Sequence, residues 1–301
     1  MAGSRVRVSL RWVAELLLGI SLIASAAQAG SMSTEDAARH RRLLRQAEAD
    51  FARGALQDGR AAAGEAVLLA DRAGDPLGRA AARLVRANLL LSSGDPAGAV
   101  ADLDAVLAAA ELERLPSLAL AARNNLAGAK LVLGDREAAE ALYARVAEDA
   151  TRAGDPSLAA RASANRLRVR VDGGQSLEPA VVAAARAAVD ALPDSADQAL
   201  TRVHLGETLS RAAERGQGDR TALVGQANEI LRAALVQADG LSGEGVASRI
   251  RAQALGHLGG LYIQEGRLEE ALGLTRRALT QAGRSEVGAE LFPWHLQSAR
   301  L

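Results

Sequence analysis

Apolar residues recur at three- and four-residue spacing along most of the chain, which is the pattern of helices with one buried face. Glycine and proline interrupt this pattern at regular distances. The prolines on a 40-residue period are Pro76, Pro116 and Pro156, and the glycines on the same period are Gly54, Gly94, Gly134 and Gly174. Two independent helix breakers that share one period indicate an internal repeat with two predicted helices in each unit.

The pentapeptide Arg-Ala-Gly-Asp-Pro, at 72–76 and again at 152–156, marks a corner between repeats. Glycine readily adopts the left-handed conformation that ends a helix, aspartate caps the next helix, and proline fits its first turn. Gly-Asp loops also occur in phosphate sites, but neither copy is followed by the Lys-Ser/Thr that such a loop requires. We therefore predict that each copy joins two helices.

The segment 258–279 resembles the tetratricopeptide repeat. The residues that carry the resemblance are Leu258, Gly259, Tyr262, Gly266, Ala271, Ala278 and Leu279. The pattern is also readable around Gly134 and, more loosely, around Gly94. The resemblance implies an all-α fold, a right-handed superhelical solenoid of antiparallel helical hairpins with the 40-residue period seen here. It covers residues 35–282 as about six hairpins.

The first 29 residues are typical of a bacterial signal peptide. Arginines at 5, 7 and 11 precede a short apolar stretch, 16–27, and Ala27-Gln28-Ala29 is a small-x-small cleavage pattern. We expect cleavage after Ala29, a short linker at 30–34, and a periplasmic or secreted protein. The alternative is an uncleaved segment that anchors the protein in the membrane.

Composition narrows the possible chemistry. The 36 basic and 36 acidic residues are interspersed, so no basic stripe indicates nucleic-acid binding. Cysteine is absent, which excludes disulfides and a cysteine nucleophile. The four histidines show no metal-binding spacing, and no GxSxG motif is present. We therefore expect no enzyme, no cofactor and no metal, and we interpret Asp102–Asp104 and Glu269–Glu270 as solvated helix faces.

Stacked hairpins predict a concave groove lined by the first helix of each repeat. The polar candidates on these helices are Asn88, Asn124, Asn125, Arg161, Asn165, Arg168, Gln253, His257 and Gln264. Asparagine can hydrogen-bond a peptide backbone, and arginine can bind a carboxylate. We therefore predict a scaffold that binds a protein or peptide. The alternative for Asn124 and Asn125 is that they satisfy polar groups between helices. His204, like His257, precedes a Leu-Gly pair and is expected to be partly exposed towards the groove.

The C-terminal segment 283–301 carries a second, narrower resemblance. With the 40-residue period, it is similar to the end of the repeat arrays that precede the caspase-like CHAT domain of bacterial proteins. The matching residues are Phe292, Trp294, Gln297, Arg300 and Leu301, whereas Pro293 and Ser298-Ala299 depart from the pattern. This resemblance implies an alternative function, a regulatory or sensor arm that acts on a separate catalytic partner.

The same segment predicts a final helix that is either a cap or a truncated next repeat. Its apolar residues include Leu291, Phe292, Trp294 and Leu296. We expect Trp294 to dock this helix on the preceding hairpin, because an exposed indole would be unfavourable. Its other face is then available for self-association.

Overall fold

The computed structural model describes residues 32–284 and 291–299, and in these ranges the secondary structure is helical, without strands. The helices are α1 (Thr34–Ala52), α2 (Leu56–Ala73), α3 (Pro76–Ser92), α4 (Pro96–Leu112), α5 (Pro116–Val132), α6 (Arg136–Ala153), α7 (Pro156–Asp172), α8 (Pro179–Asp190), α9 (Ala196–Glu214), α10 (Arg220–Asp239), α11 (Glu244–Gln264), α12 (Leu268–Ala282) and α13 (Leu291–Ala299). The predicted signal peptide, 1–29, lies outside the described residues.

The chain divides into two compact units, Met1–Ala153 and Gly154–Leu301. Unit 1 contains α1–α6 and unit 2 contains α7–α13. In unit 1 each helix packs on the next one, and α3 also contacts α1 and α5. In unit 2 the closest helix pairs are α9 with α10 and α11 with α12, and α9 also contacts both α7 and α11.

The repeated pentapeptide forms the predicted corner in both places. Gly74 ends α2 in the left-handed conformation with φ of 63°, and Gly154 has φ of 72°. The Asp75 carboxylate accepts hydrogen bonds from the backbone N–H of Leu77 and Gly78, and Asp155 caps α7 in the same way. Pro76 and Pro156 are the first residues of their helices. The corner geometry predicted from the sequence is confirmed.

Small residues allow the paired helices to approach closely. Gly206 of α9 faces Leu231 of α10 so closely that a Cβ atom at this position would lie 2.6 Å from the leucine Cγ. In the hairpin α11–α12, Leu258, Tyr262 and Ala271 are buried. The core therefore uses alanine, leucine and glycine where a protein richer in aromatic residues would use larger rings.

The predicted all-α, helical-repeat fold class is confirmed by this succession of packed helices. The extent of a single array over 35–282 and its right-handed sense stay predictions.

One interpretation of charged residues was wrong. Asp102 is buried, and Arg86 donates to both of its carboxylate oxygens, from Nε at 2.7 Å and from Nη2 at 2.6 Å. Its helix α4 turns this residue towards α3, so it is an interhelix ion pair rather than part of a solvated face. Asp104, Glu269 and Glu270 are exposed, as expected.

Candidate functional site

Three of the predicted residues in unit 1 form a chain of buried amides. Asn125 of α5 donates from Nδ2 to Asn88 Oδ1 of α3 at 2.7 Å, and it accepts at Oδ1 from Asn124 Nδ2 at 3.2 Å. All three side chains are buried. This is the interhelix arrangement that the sequence left open as an alternative for Asn124 and Asn125.

Two atoms of this series of amides have no hydrogen-bond partner among the residues that the structure describes. Asn88 Nδ2 and Asn124 Oδ1 are both buried without one. Because these atoms are covered, a ligand reaches them only if the surrounding side chains move. A ligand role for the three asparagines stays a prediction.

Unit 2 brings polar side chains from three helices onto one surface, which we call the α7/α9/α11 face. On α7 they recur at spacings of three and four residues, which places them in one row along the helix. A row with intervals of three and four residues follows on α9, and the residues on α11 are four and seven residues apart. The residues of the face are Arg161, Asn165, Arg168 and Asp172 of α7, His204, Glu207, Arg211 and Arg215 of α9, and Gln253, His257 and Gln264 of α11.

Contacts between side chains join the α7 and α9 rows. Asp172 of α7 accepts from Arg211 Nη1 at 3.2 Å and from Arg215 Nη1 at 3.5 Å, both on α9. The two arginines are one turn apart on α9, so a single carboxylate fixes that stretch of the helix beside the end of α7.

The α9 and α11 rows are joined in a similar way. His257 Nε2 of α11 lies 3.8 Å from Glu207 Oε2 of α9, and Gln264 Nε2 of α11 donates to Ser210 Oγ of α9 at 3.2 Å. These contacts link the end of α7 through α9 to His257 and Gln264 of α11, and the predicted residues of α7 lie in the same helical row as Asp172.

Glu207 lies at the centre of this surface and experiences a strongly positive environment. Burial by itself raises the pKa of its carboxyl, but the charges of His257, Arg211, His204 and Arg168 outweigh that effect, and the pKa lies below its ordinary value. Arg211 also donates a hydrogen bond to Glu207. The face therefore favours negative charge at this position.

The predicted residues of unit 2 differ in exposure. Arg161, Arg168, His257 and Gln264 are partly exposed, whereas Asn165 and Gln253 are buried. His204 is also partly exposed, as expected. The Glu207 side chain is 34% exposed, so a partner can reach it as well.

Sequence reasoning did not select the charged residues of α9 and the end of α7. Glu207, Arg211, Arg215 and Asp172 were not among the candidates, although all four contact other residues of the face. A signal was present, because 204, 207, 211 and 215, like 161, 165, 168 and 172, follow one another at intervals of three and four residues. The two rows lie 42 or 43 residues apart, so the 40-residue period does not align them.

The C-terminal helix α13 docks beside this face. Trp294 is buried among Ala252, Leu255, Ala278 and Ala282 of α11 and α12, and its ring meets His257 edge-on with centroids 5.2 Å apart. Gln297 Nε2 donates to the Gly256 carbonyl at 3.1 Å and to Thr275 Oγ1 at 2.8 Å. The predicted docking through Trp294 is confirmed.

Residues 32–284 and 291–299 contain no group of three or more His, Asp or Glu side chains arranged to hold a metal ion. No helix in these ranges combines the length and apolar character needed to cross a membrane.

Comparison with known proteins shows that this chain is similar in structure to solved helical proteins. No family model matches the chain, and no curated protein does. The crystal structure of BtubC (BKLC) from P. vanneervenii is similar, with 18% identity, a TM-score of 0.52 and coverage of 76% of this chain and 91% of BtubC. The apo form of RapI is similar with 12% identity, a TM-score of 0.53 and coverage of 90% and 92%. Both are helical-repeat structures, so the fold fits a tetratricopeptide-like repeat.

Proposed function

We propose that the chain is a non-catalytic scaffold that binds a protein or peptide partner on the α7/α9/α11 face. The observation that carries the proposal is the convergence of partly exposed arginine, histidine and amide side chains from three helices on one surface. Such groups bind the carboxylates and backbone amides that peptides present. The likeness to helical-repeat structures supports a scaffold through the fold alone.

A comparison of two substitutions in the full chain tests this proposal. Arg168→Ala removes a partly exposed group of the face, and Asn124→Ala removes a buried amide of unit 1. In a pull-down from extract of the native host, Arg168→Ala should lose a specific partner, since losing one charge-assisted contact costs about 1–3 kcal/mol of binding free energy. Asn124→Ala should retain that partner and unfold more easily. Retention of the partner by Arg168→Ala and its loss from a folded Asn124→Ala protein would move the site to unit 1.

We also propose that the protein is exported by its N-terminal segment, to the periplasm or out of the cell. The charged head, short apolar stretch and Ala-Gln-Ala pattern support this. Retention of the segment as a membrane anchor is the alternative, and the length of the native protein distinguishes the two.

A regulatory arm for a separate CHAT-type catalytic protein is the second candidate function. Of the residues that match the ending of such arrays, Trp294 and Gln297 have described side chains, and both contact α11 and α12. Co-purification of a caspase-like protein with the full chain would favour this alternative, and a partner without such a domain would oppose it.

We further propose self-association through the outer side of α13. His295 and Leu296 are exposed there, with Leu296 43% exposed. Light scattering on the full chain, with and without residues 285–301, tests this. A monomer in both cases would contradict it.

A further inference from the structure

The repeat period shows where α7 carries charges that the corresponding helices of unit 1 lack. Arg161, Asn165 and Arg168 lie five, nine and twelve residues after Pro156, the first residue of α7. The residues at the same distances from the first proline of α3 and of α5 are Ala81, Val85 and Asn88, and Ala121, Asn125 and Gly128. The two helices of unit 1 thus carry small, apolar or amide side chains where α7 carries two arginines.

The helices of unit 1 pack well with those uncharged residues. Ala81, Val85 and Asn88 are buried, and α3 contacts α1, α2, α4 and α5. A helix in this position is therefore stable without arginine. Placing a long charged side chain there costs side-chain entropy and partial desolvation. The charge of Arg168 helps to stabilise the Glu207 carboxylate, whereas the helices of unit 1 carry alanine at the position of Arg161 and pack without a charge there.

The charge of the whole face is positive. The defined face contains the four arginines 161, 168, 211 and 215 and the two carboxylates of Asp172 and Glu207, which leaves a net charge of +2 when both histidines are neutral. The environment stabilises the Glu207 carboxylate although the side chain is partly buried. A further carboxylate brought to the exposed side of the face experiences a net attraction, because Glu207 and Asp172 offset two of the four arginines.

The neighbouring groups favour a peptide over other anions. The partly exposed Gln264 and His257 lie in the same rows as the arginines and offer hydrogen-bonding groups that match the backbone of an extended peptide. Arginine binds carboxylates through two parallel hydrogen bonds. Nucleic acid is bound chiefly by basic patches together with stacking on aromatic rings, and the rows of the face consist of arginine, histidine, amide and acidic residues.

We propose that the partner bound at the α7/α9/α11 face is an acidic peptide segment. Its carboxylates contact Arg161 and Arg168 in the α7 row, beside the α9 row that contains Glu207. This inference rests on the proposed function, and it adds the chemical class of the partner. It also assigns the recognition of the partner's acidic groups to unit 2.

Selection from a random-peptide library with the full chain as bait tests the inference. The enriched peptides should be rich in Asp and Glu, and their binding should weaken as ionic strength rises, because salt screens exposed charges. Measured by fluorescence anisotropy, Arg168→Gln should raise the Kd of an enriched peptide about tenfold, the loss expected for one charge-assisted contact. Arg161→Gln should raise it in the same direction.

The matched control is Arg276→Gln together with Arg277→Gln, which removes two exposed arginines of α12 that lie outside the face. This variant should keep the Kd of the original chain. Circular dichroism establishes that each variant is folded. If Arg168→Gln does not fold, Arg168→Lys replaces it, since lysine keeps the charge but loses the paired hydrogen bonds and should weaken binding less.

Three results would overturn the inference. Enrichment of neutral or basic peptides whose Kd is unchanged by Arg168→Gln would overturn the inference that the partner is acidic, while leaving the scaffold function intact. Tighter, Arg168-dependent binding of a single-stranded oligonucleotide than of any acidic peptide would assign the face to nucleic acid. If no peptide is enriched and no protein is captured by the full chain, both the inference and the proposed function fail.

Discussion

Asn125 is the central residue of the buried amide chain in unit 1, because it both accepts from Asn124 and donates to Asn88. A hydrogen bond between buried groups contributes little net stability while both partners are present. Removing one partner is costly, because the remaining polar atom loses water without gaining a replacement.

Asn125→Ala should therefore lower the free energy of unfolding by about 1–3 kcal/mol, since it leaves Asn88 and Asn124 with further unpaired atoms. Urea unfolding followed by circular dichroism measures the change. Gln57→Ala is the control, because Gln57 is exposed on α2 and should change stability little. Equal stability of the two variants would show that the chain of amides is not a structural connection.

His40 supplies a pH-dependent contribution to unit 1. It is buried on α1, and its Nε2 lies 3.1 Å from the Gly78 carbonyl of α3. Burial lowers the pKa of the imidazole below 6.5, and the Gly78 contact and the Asp75 charge oppose this only in part. The folded chain therefore takes up a proton on His40 less readily than the unfolded chain does.

The sign of the effect follows from that difference. Above pH 6.5 both states leave His40 neutral, and as the pH falls towards the lowered folded-state pKa the unfolded chain gains the proton first, so stability falls. His40→Gln should make the loss of stability over this acidic range shallower. Urea unfolding at a series of pH values measures it, and an unchanged pH profile in the variant would contradict the assignment.

Residues differ in how far the sequence could predict them. The caps at Asp75 and Asp155 were predictable, because a cap depends on neighbours two and three residues away in sequence. The burial of Asp102 was not, because it depends on how α4 turns against Arg86 of α3. The same limit applies to Glu207, whose environment is set by α7 and α11.

At the scale of elements, α13 depends on the glycines of α11. A Cβ atom on Gly256 would lie 2.4 Å from the Trp294 ring, and one on Gly259 would lie 2.7 Å from the Gln297 amide. These glycines leave room for the side chains through which α13 docks. The docking residue Trp294 could be predicted from the sequence, because an exposed indole in the final helix would be unfavourable. The sequence did not indicate that Gly256 and His257 form part of the surface on which the indole packs.

Gly256→Ala should undock α13, because the ring cannot remain where the new methyl group lies. Trp12 and Trp294 are the two tryptophans, so in a Trp12→Phe background fluorescence reports on Trp294 alone. The emission should shift to longer wavelength as the ring meets water. Gly273→Ala is the control, because a Cβ atom there contacts nothing within 4 Å. Identical emission from both variants would contradict the predicted clash.

At the scale of the whole molecule, the repeat could be predicted from the sequence, whereas the α7/α9/α11 face could be predicted only in part. The 40-residue period predicted the helices and their corners, since breakers act locally and recur. The α7/α9/α11 face could be predicted only in part, because the row on α9 lies 42 or 43 residues after the row on α7 and so does not follow the 40-residue period. The amino acids that identify a partner are not fixed by the fold, so the period could not reveal them.

Export is a prediction for the molecule as a whole. Protein isolated from its native host should begin at Gly30, because cleavage is expected after Ala29. N-terminal sequencing measures this directly, and cell fractionation locates the product. A replacement of both Ala27 and Ala29 by bulky residues should block cleavage. A native chain that retains Met1 in the cytosol would refute export.

The identical corners at Gly74-Asp75-Pro76 and Gly154-Asp155-Pro156 have a genetic consequence. Unequal recombination between their coding sequences would delete or duplicate 80 residues, and the joined product would again read Arg-Ala-Gly-Asp-Pro. The new junction would keep a left-handed glycine, an aspartate cap and a first-turn proline, so the recombined chain would form the same turn between helices. A gene of this kind can change length by pairs of hairpins in a single event, and the number of repeats becomes a heritable variable that selection can adjust.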